Sequence, residues 1–236
     1  MRSRCIVVSL LVFCFSTVAS AGQTFSDDFN DGDLVGWSAK QGSWSVEGGV
    51  DKYLSGNRNY GVIWNDGSFG VNQRLQVDAY FDTTQAAIQA DTIAHLRLRT
   101  SQNGNFWDTG YLAQVTPSGV SIQNTHENGN PYISEYSFAS GESPITSSGW
   151  YTLQFAVTGT GSNTHFELGV NDILYIDHVY DNSIAQLDSG YIGLGREIKY
   201  DNFKGFTNVA PVPVPGAVLL GMLGLSVVGV KLRKHA

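Results

Sequence analysis

Leu75, Val77, Ala79 and Phe81 alternate with Gln76, Asp78 and Tyr80. Side chains two residues apart share one face of a β-strand, so this run presents one apolar and one polar face. Tyr151, Leu153, Phe155 and Val157 repeat the pattern, as do Phe166, Leu168 and Val170. Leu174 and Ile176 follow beyond an Asn171-Asp172 turn, which reads as a β-hairpin. Further strands are expected over residues 61–64, 95–99, 111–116, 120–124 and 191–195, between breaks rich in Gly, Asn, Asp and Ser. No helical period is sustained for more than about two turns. Residues 83–90 read as a loop, and 124–130 and 141–149 are polar loops of the kind that carry binding function on a rigid scaffold. About a dozen short strands in one block imply an all-β sandwich or barrel.

Both ends stand apart from this block. Arg2 and Arg4, a largely apolar stretch from Cys5 to Val18, and Ala19-Ser20-Ala21 compose a secretory signal peptide over residues 1–21. A retained anchor is the alternative, but the apolar run is shorter than the ~20 residues a span needs. Cys5 and Cys14 both lie inside the leader, so no disulfide staples the mature chain, and its body, residues 22–208, must rely on its core or on a metal. All 21 acidic residues fall between Gly22 and Ala210 against nine basic ones, a net charge of −12 that repels a phosphate backbone and argues against nucleic acid.

Residues 209–216 alternate with proline and form an extended spacer. Residues 217–236 are then apolar and end in Lys231, Arg233 and Lys234, the pattern of a hydrophobic helix with its C-terminus on the cytoplasmic side. The fourteen residues Ala217 to Val230 span only ~21 Å as a helix, short of the ~30 Å hydrocarbon core, which suits a transient membrane signal. The run Val214-Pro215-Gly216-Ala217-Val218-Leu219-Leu220-Gly221 with its basic end resembles the PEP-CTERM sorting signals of Gram-negative bacteria. Where that class has Val-Pro-Glu-Pro, this chain has Val212-Pro213-Val214-Pro215, so Val214 replaces the glutamate. The resemblance implies that Pro213, Pro215, Gly216 and the terminal cations are read by an exosortase-type membrane protease, with release or attachment at the cell surface. An ordinary single-pass anchor is the alternative.

The body resembles the concanavalin A-like lectin/glucanase superfamily in its laminin-G-like branch. The residues that carry this are Phe25-Ser26-Asp27-Asp28-Phe29-Asn30-Asp31-Gly32, Gly42-Ser43-Trp44-Ser45-Val46, Gly190-Tyr191-Ile192-Gly193-Leu194-Gly195 and Tyr200-Asp201-Asn202-Phe203. The resemblance implies a jelly-roll β-sandwich of two antiparallel sheets and a glycan partner. Glucanases of that superfamily carry Glu-x-Asp-x-x-Glu or Glu-x-Asp-x-Glu on one strand, and neither triplet is present here.

Sugar recognition uses exposed aromatic faces with amides and carboxylates beside them. Trp107, with Asp108 next to it in a polar loop, leads on this criterion, followed by Tyr132 and Tyr136; core packing is the competing role for Trp107. Trp37, Trp44 and Trp64 are expected in the core, and His95, alternating with Leu96 and Leu98, on the outer face of a sheet. Asp27 and Asp28 could meet Asp201 and Asn202 across neighbouring first and last strands and share a structural Ca²⁺. The other reading is a turn whose acids cap backbone N–H groups. The expectation is thus an exported, surface or matrix carbohydrate-binding protein, with a glycan hydrolase or lyase, or a purely structural envelope protein, as alternatives.

Overall fold

The computed structural model describes residues 24–56, 62–65, 67, 69–84, 93–101, 110–125, 132–180, 188–196 and 198–207. The proposed leader, the proline spacer, the C-terminal tail with Pro213, Pro215, Gly216, Lys231, Arg233 and Lys234, and the loop bearing Trp107 and Asp108 lie outside them. Among the described residues no helix is long and apolar enough to cross a membrane.

The described residues form fifteen strands and one short 3₁₀ turn, Gly161–Asn163. In chain order the strands are β1 Thr24–Asp27, β2 Trp37–Gln41, β3 Trp44–Gly48, β4 Lys52–Gly56, β5 Val62–Asn65, β6 Gln73–Phe81, β7 Ala94–Thr100, β8 Tyr111–Thr116, β9 Gly119–Asn124, β10 Tyr132–Ser137, β11 Gly149–Thr158, β12 Thr164–Val170, β13 Ile173–Tyr180, β14 Tyr191–Gly195 and β15 Lys199–Thr207. The first sheet runs β13-β12-β11-β6-β15-β4-β3, with β1 also paired to β15. The second runs β10-β9-β8-β7-β14-β5-β2. All strand pairs are antiparallel, as the alternating sequence requires for a two-layer sandwich.

The core lies between the sheets. Leu75, Val77, Ala79 and Phe81 of β6 and Leu153, Phe155 and Val157 of β11 are fully buried and face Leu96 and Leu98 of β7 and Ile192 and Leu194 of β14. Each such side chain contributes about 1.5–3 kcal/mol by leaving water. Trp37 and Trp44 belong to this core, as expected. The β12–β13 hairpin turns at Asn171 and Asp172, whose φ values of 49° and 63° match the left-handed pair of a type I′ turn.

Polar ties cross the core and hold β7 to the first sheet. Tyr200, fully buried on β15, donates its hydroxyl to the Gly195 carbonyl (2.6 Å) and accepts the His95 N–H (3.1 Å). Burial pushes its phenol above the ordinary range. Gln73 accepts the Arg99 N–H at 2.7 Å. Arg99 would share the outer face with Arg97 by alternation, but its φ of 49°, beside a register shift in the β7–β14 pairing, sends the guanidinium to the Val71 and Gly159 carbonyls instead. Gly190 fits there because a Cβ would lie 2.6 Å from the Thr100 carbonyl.

Candidate functional site

The second sheet carries a polar line across its outer face. Strand β7 is its central strand. Since Leu96 and Leu98 enter the core, His95 and Arg97 point outward, and both are nevertheless buried, at 1% and 0% exposure. The pairing registers extend the line: His95 lies opposite Gly195 on one side and Gln114 on the other, Gln114 opposite Ser121, and Ser121 opposite Glu135. Paired positions present neighbouring side chains, so imidazole, amide, hydroxyl and carboxylate follow one another over three interstrand steps, roughly 14 Å. Gly193 and Gly195 leave β14 without side chains beside Arg97 and His95.

At the centre of this line, Gln114 Nε2 lies 3.3 Å from His95 Nε2, and Arg196 Nε donates towards the same nitrogen at 3.4 Å. Burial, then the charges of Arg196 and Arg97, hold the His95 imidazole well below its ordinary range, so it is neutral at physiological pH. Placing guanidiniums and an imidazole in a water-poor site costs stability, and such perturbed groups concentrate where ligands are handled. Towards β10 the same face opens into a hollow of about 190 Å³ lined by Gln114, Ser121, Tyr132 and Glu135.

The two tyrosines named from sequence both border this hollow, in different settings. Tyr132 stands at the rim of the hollow, 57% exposed. After a register shift between Tyr132 and Ser134, Tyr136 pairs with Val120, remains 40% exposed on the hollow's border, and meets Phe138 edge-on and Tyr175 at a tilt, both 5.7 Å away. Tyr136 thus helps close the sandwich between β10 and β13.

The acidic segment behaves differently. Strand β1 pairs with β15, so Asp27 lies opposite Phe203 and the first and last strands are neighbours, as expected. Asp27, Asp28, Asp31, Asp33 and Asn202 border a cleft of about 620 Å³. Their oxygens are used locally: Asp27 accepts from the Phe29 N–H (2.7 Å) and the Trp37 indole (2.8 Å), while Asp28, Asp31 and Asp33 cap the N–H groups of Asn30, Asp33 and Val35. Burial raises the carboxyls of both Asp27 and Asp201, and for Asp201 the charges of Asp78, Asp28 and Asp51 act in the same direction. Among the described residues no group of three or more His, Cys, Asp or Glu side chains that could hold a metal ion is found.

The model of the 3-keto-alpha-glucoside-1,2-lyase-like domain family matches residues 24–205. The chain belongs to that family. Comparison with curated proteins gives no match. Among solved structures, this lyase-like domain resembles a protein of unknown function with a galectin-like fold from Bacillus subtilis, at 13% identity and TM-score 0.57, covering 80% of this chain and 97% of the other. It resembles a glycoside hydrolase family 16 endo-glucanase from Bacteroides ovatus at 11% identity and TM-score 0.52, covering 76% and 98%. The exoplasmic/lumenal domain of VIP36, solved in a Ca²⁺/mannose-bound form, is similar at 14% identity and TM-score 0.52, covering 76% and 86%. These likenesses establish that the lyase-like domain has the galectin and glucanase type of jelly roll.

Proposed function

We propose that this is an exported protein that binds carbohydrate along the outer face of the second sheet, with the registered line His95–Gln114–Ser121–Glu135 as the observation that carries the reading. A saccharide needs closely spaced groups that both give and accept hydrogen bonds, and an aromatic face for its C–H surface. The line supplies the first and Tyr132 the second; the loop of Trp107 and Asp108 is a further candidate contributor. The superfamily's carbohydrate-handling members support this choice. Residues 1–21 direct export, and an exosortase-type protease reads the tail around Pro213, Pro215 and Gly216, leaving the domain at the cell surface or in its polysaccharide matrix.

The test is a glycan array with full-length protein in mild detergent, followed by titration of Gln114→Ala, Glu135→Ala and Tyr132→Ala. Each is expected to weaken binding about tenfold, equivalent to about 1.4 kcal/mol. Unchanged affinity in all three would refute the assignment. Mass spectrometry of the secreted product checks the processing, with cleavage expected after Ala21 and near Gly216.

The family match favours a second reading, a lyase acting on a 3-keto-α-glucoside. The strands of the second sheet carry one acid, Glu135, so the paired carboxylates of a glycosidase are not found on them. An elimination needs only one base. The 3-keto group acidifies C2–H; His95 would take that proton, the C1–O bond would break as C1=C2 forms, and the resulting imidazolium would return the proton to the leaving oxygen. Arg97 and Arg196 would stabilise the enolate charge. Appearance of enone absorbance from a 3-keto disaccharide, lost in His95→Gln, would establish turnover; binding without it leaves the first reading.

A further inference from the structure

The outer face of the first sheet carries a second, separately built surface. Four adjacent strands, β11, β6, β15 and β4, present Trp150, Tyr80, Lys199 and Tyr53. Trp150 pairs with Tyr80 and Tyr80 with Lys199, so three of the four fall on one line across the sheet. The Trp150 ring meets Tyr80 edge-on at 5.5 Å and lies 6.1 Å from Tyr53, and Lys199 Nζ sits 4.9 Å from the Tyr53 ring and 5.2 Å from the Tyr80 ring. Trp150 remains 44% exposed. Two tyrosines, each under the Lys199 ammonium, therefore hold the indole by ring contacts while leaving it open to solvent.

A polar line runs beside it, one alternation further along the same strands. Thr152 and Asp201 both pair with Asp78. Thr152 donates its hydroxyl to Asp78 Oδ1 at 2.6 Å, and the Asn202 amide donates to Oδ2 at 2.9 Å. An oriented carboxylate retains lone pairs for further donors. An aromatic line next to a carboxylate, an amide and a hydroxyl is the arrangement that recognises a pyranose, with rings against its C–H face and polar groups on its hydroxyls. Asp78 and Asp201, with Asp28 and Asp51 acting on the latter, make the surroundings acidic, so uronate-bearing chains are repelled.

The surface also lies away from Thr24 and Thr207, where the described domain begins and ends. Thr24 pairs with Phe206, and Thr207 with Gln73, so both ends leave the first sheet at the Gln73 end of β6. Tyr80 lies seven residues along that strand, roughly 23 Å away.

We infer that Trp150, Tyr80 and Tyr53, with the Asp78–Asn202–Thr152 line, form a binding surface for neutral polysaccharide, independent of the second-sheet site. The test is native affinity electrophoresis of full-length protein in mild detergent, in gels containing soluble β-glucan, starch, alginate or no polymer. Retardation is expected from at least one neutral polymer, weakened tenfold or more by Trp150→Ala and by Tyr53→Ala and retained within about threefold by Trp150→Phe, with thermal midpoints confirming that each variant is folded. Binding unaffected by Trp150→Ala and Tyr53→Ala but lost in Gln114→Ala would overturn this surface and leave the second-sheet site standing. Retardation by alginate equal to that by the neutral polymers would overturn the ligand class, and no retardation by either neutral polymer would overturn the proposal.

Discussion

On the first sheet the outward residues Trp150, Lys199 and Asp78 stand partly open to water, and their contacts are those of a surface: ring edges, a cation over rings, one carboxylate shared by two donors. On the second sheet the outward residues of β7 are as buried as the core residues between them. Strand β6 alternates buried with partly exposed positions throughout, whereas all seven residues of β7 are buried. An antiparallel sheet buried on one face can leave the other to solvent without penalty. A strand buried on both faces that still carries an imidazole and a guanidinium on one of them loses stability there, which supports the proposal of a site on that face.

If that contrast is right, buried and exposed cations must differ sharply in what their removal does. Arg99→Leu leaves the Val71 and Gly159 carbonyls without their donor and is expected to lose about 3 kcal/mol in urea unfolding, while Arg74→Leu, which breaks the half-open 3.1 Å pair with Glu167, should lose under about 1 kcal/mol. Equal losses would erase the distinction. Tyr200→Phe removes the hydroxyl that ties the first sheet to His95 and Gly195, with an expected cost of about 1–3 kcal/mol.

The pH dependence of stability sharpens the same comparison. His95 has a folded-state pKa held below its unfolded value of 6.5, so below that pH the unfolded chain takes up a proton that the folded one refuses. Stability is therefore full above 6.5 and falls as pH drops beneath it, by at most about 1.4 kcal/mol per pH unit from this residue. His95→Gln should flatten that part of the profile, and an unchanged slope would show that His95 is not the group responsible. The smallest effect is expected on the open face. Asp201 has a raised folded-state pKa, so its ionisation costs stability as pH rises, and Asp201→Asn should produce a slight stabilisation at neutral pH that is absent at pH 3.

Much of the fold was legible in the alternation. β6, β11 and the β12–β13 hairpin follow from their apolar positions, and the Asn171-Asp172 turn from residues that tolerate positive φ. The adjacency of the first and last strands was also legible, and the capping role of Asp28, Asp31 and Asp33 was one of the two readings it allowed. The site was not. Period two tells which face His95 takes but nothing about what burial that face has. The line from His95 to Glu135 depends on registers across strands up to 40 residues apart in the chain, and a shift at β10 gives Tyr132 and Tyr136 different neighbours although both border the hollow. Arg99 escapes alternation for a similar local reason, its positive φ.

The most direct examination of the second-sheet site is amide chemical-shift mapping of the isotope-labelled, full-length protein during titration with the oligosaccharide that the array selects. Perturbations centred on Gln114, Ser121 and Glu135, with Tyr132 at their margin, are the result expected if that outer face receives the sugar. Saturable binding whose perturbations leave those four residues unmoved would contradict it.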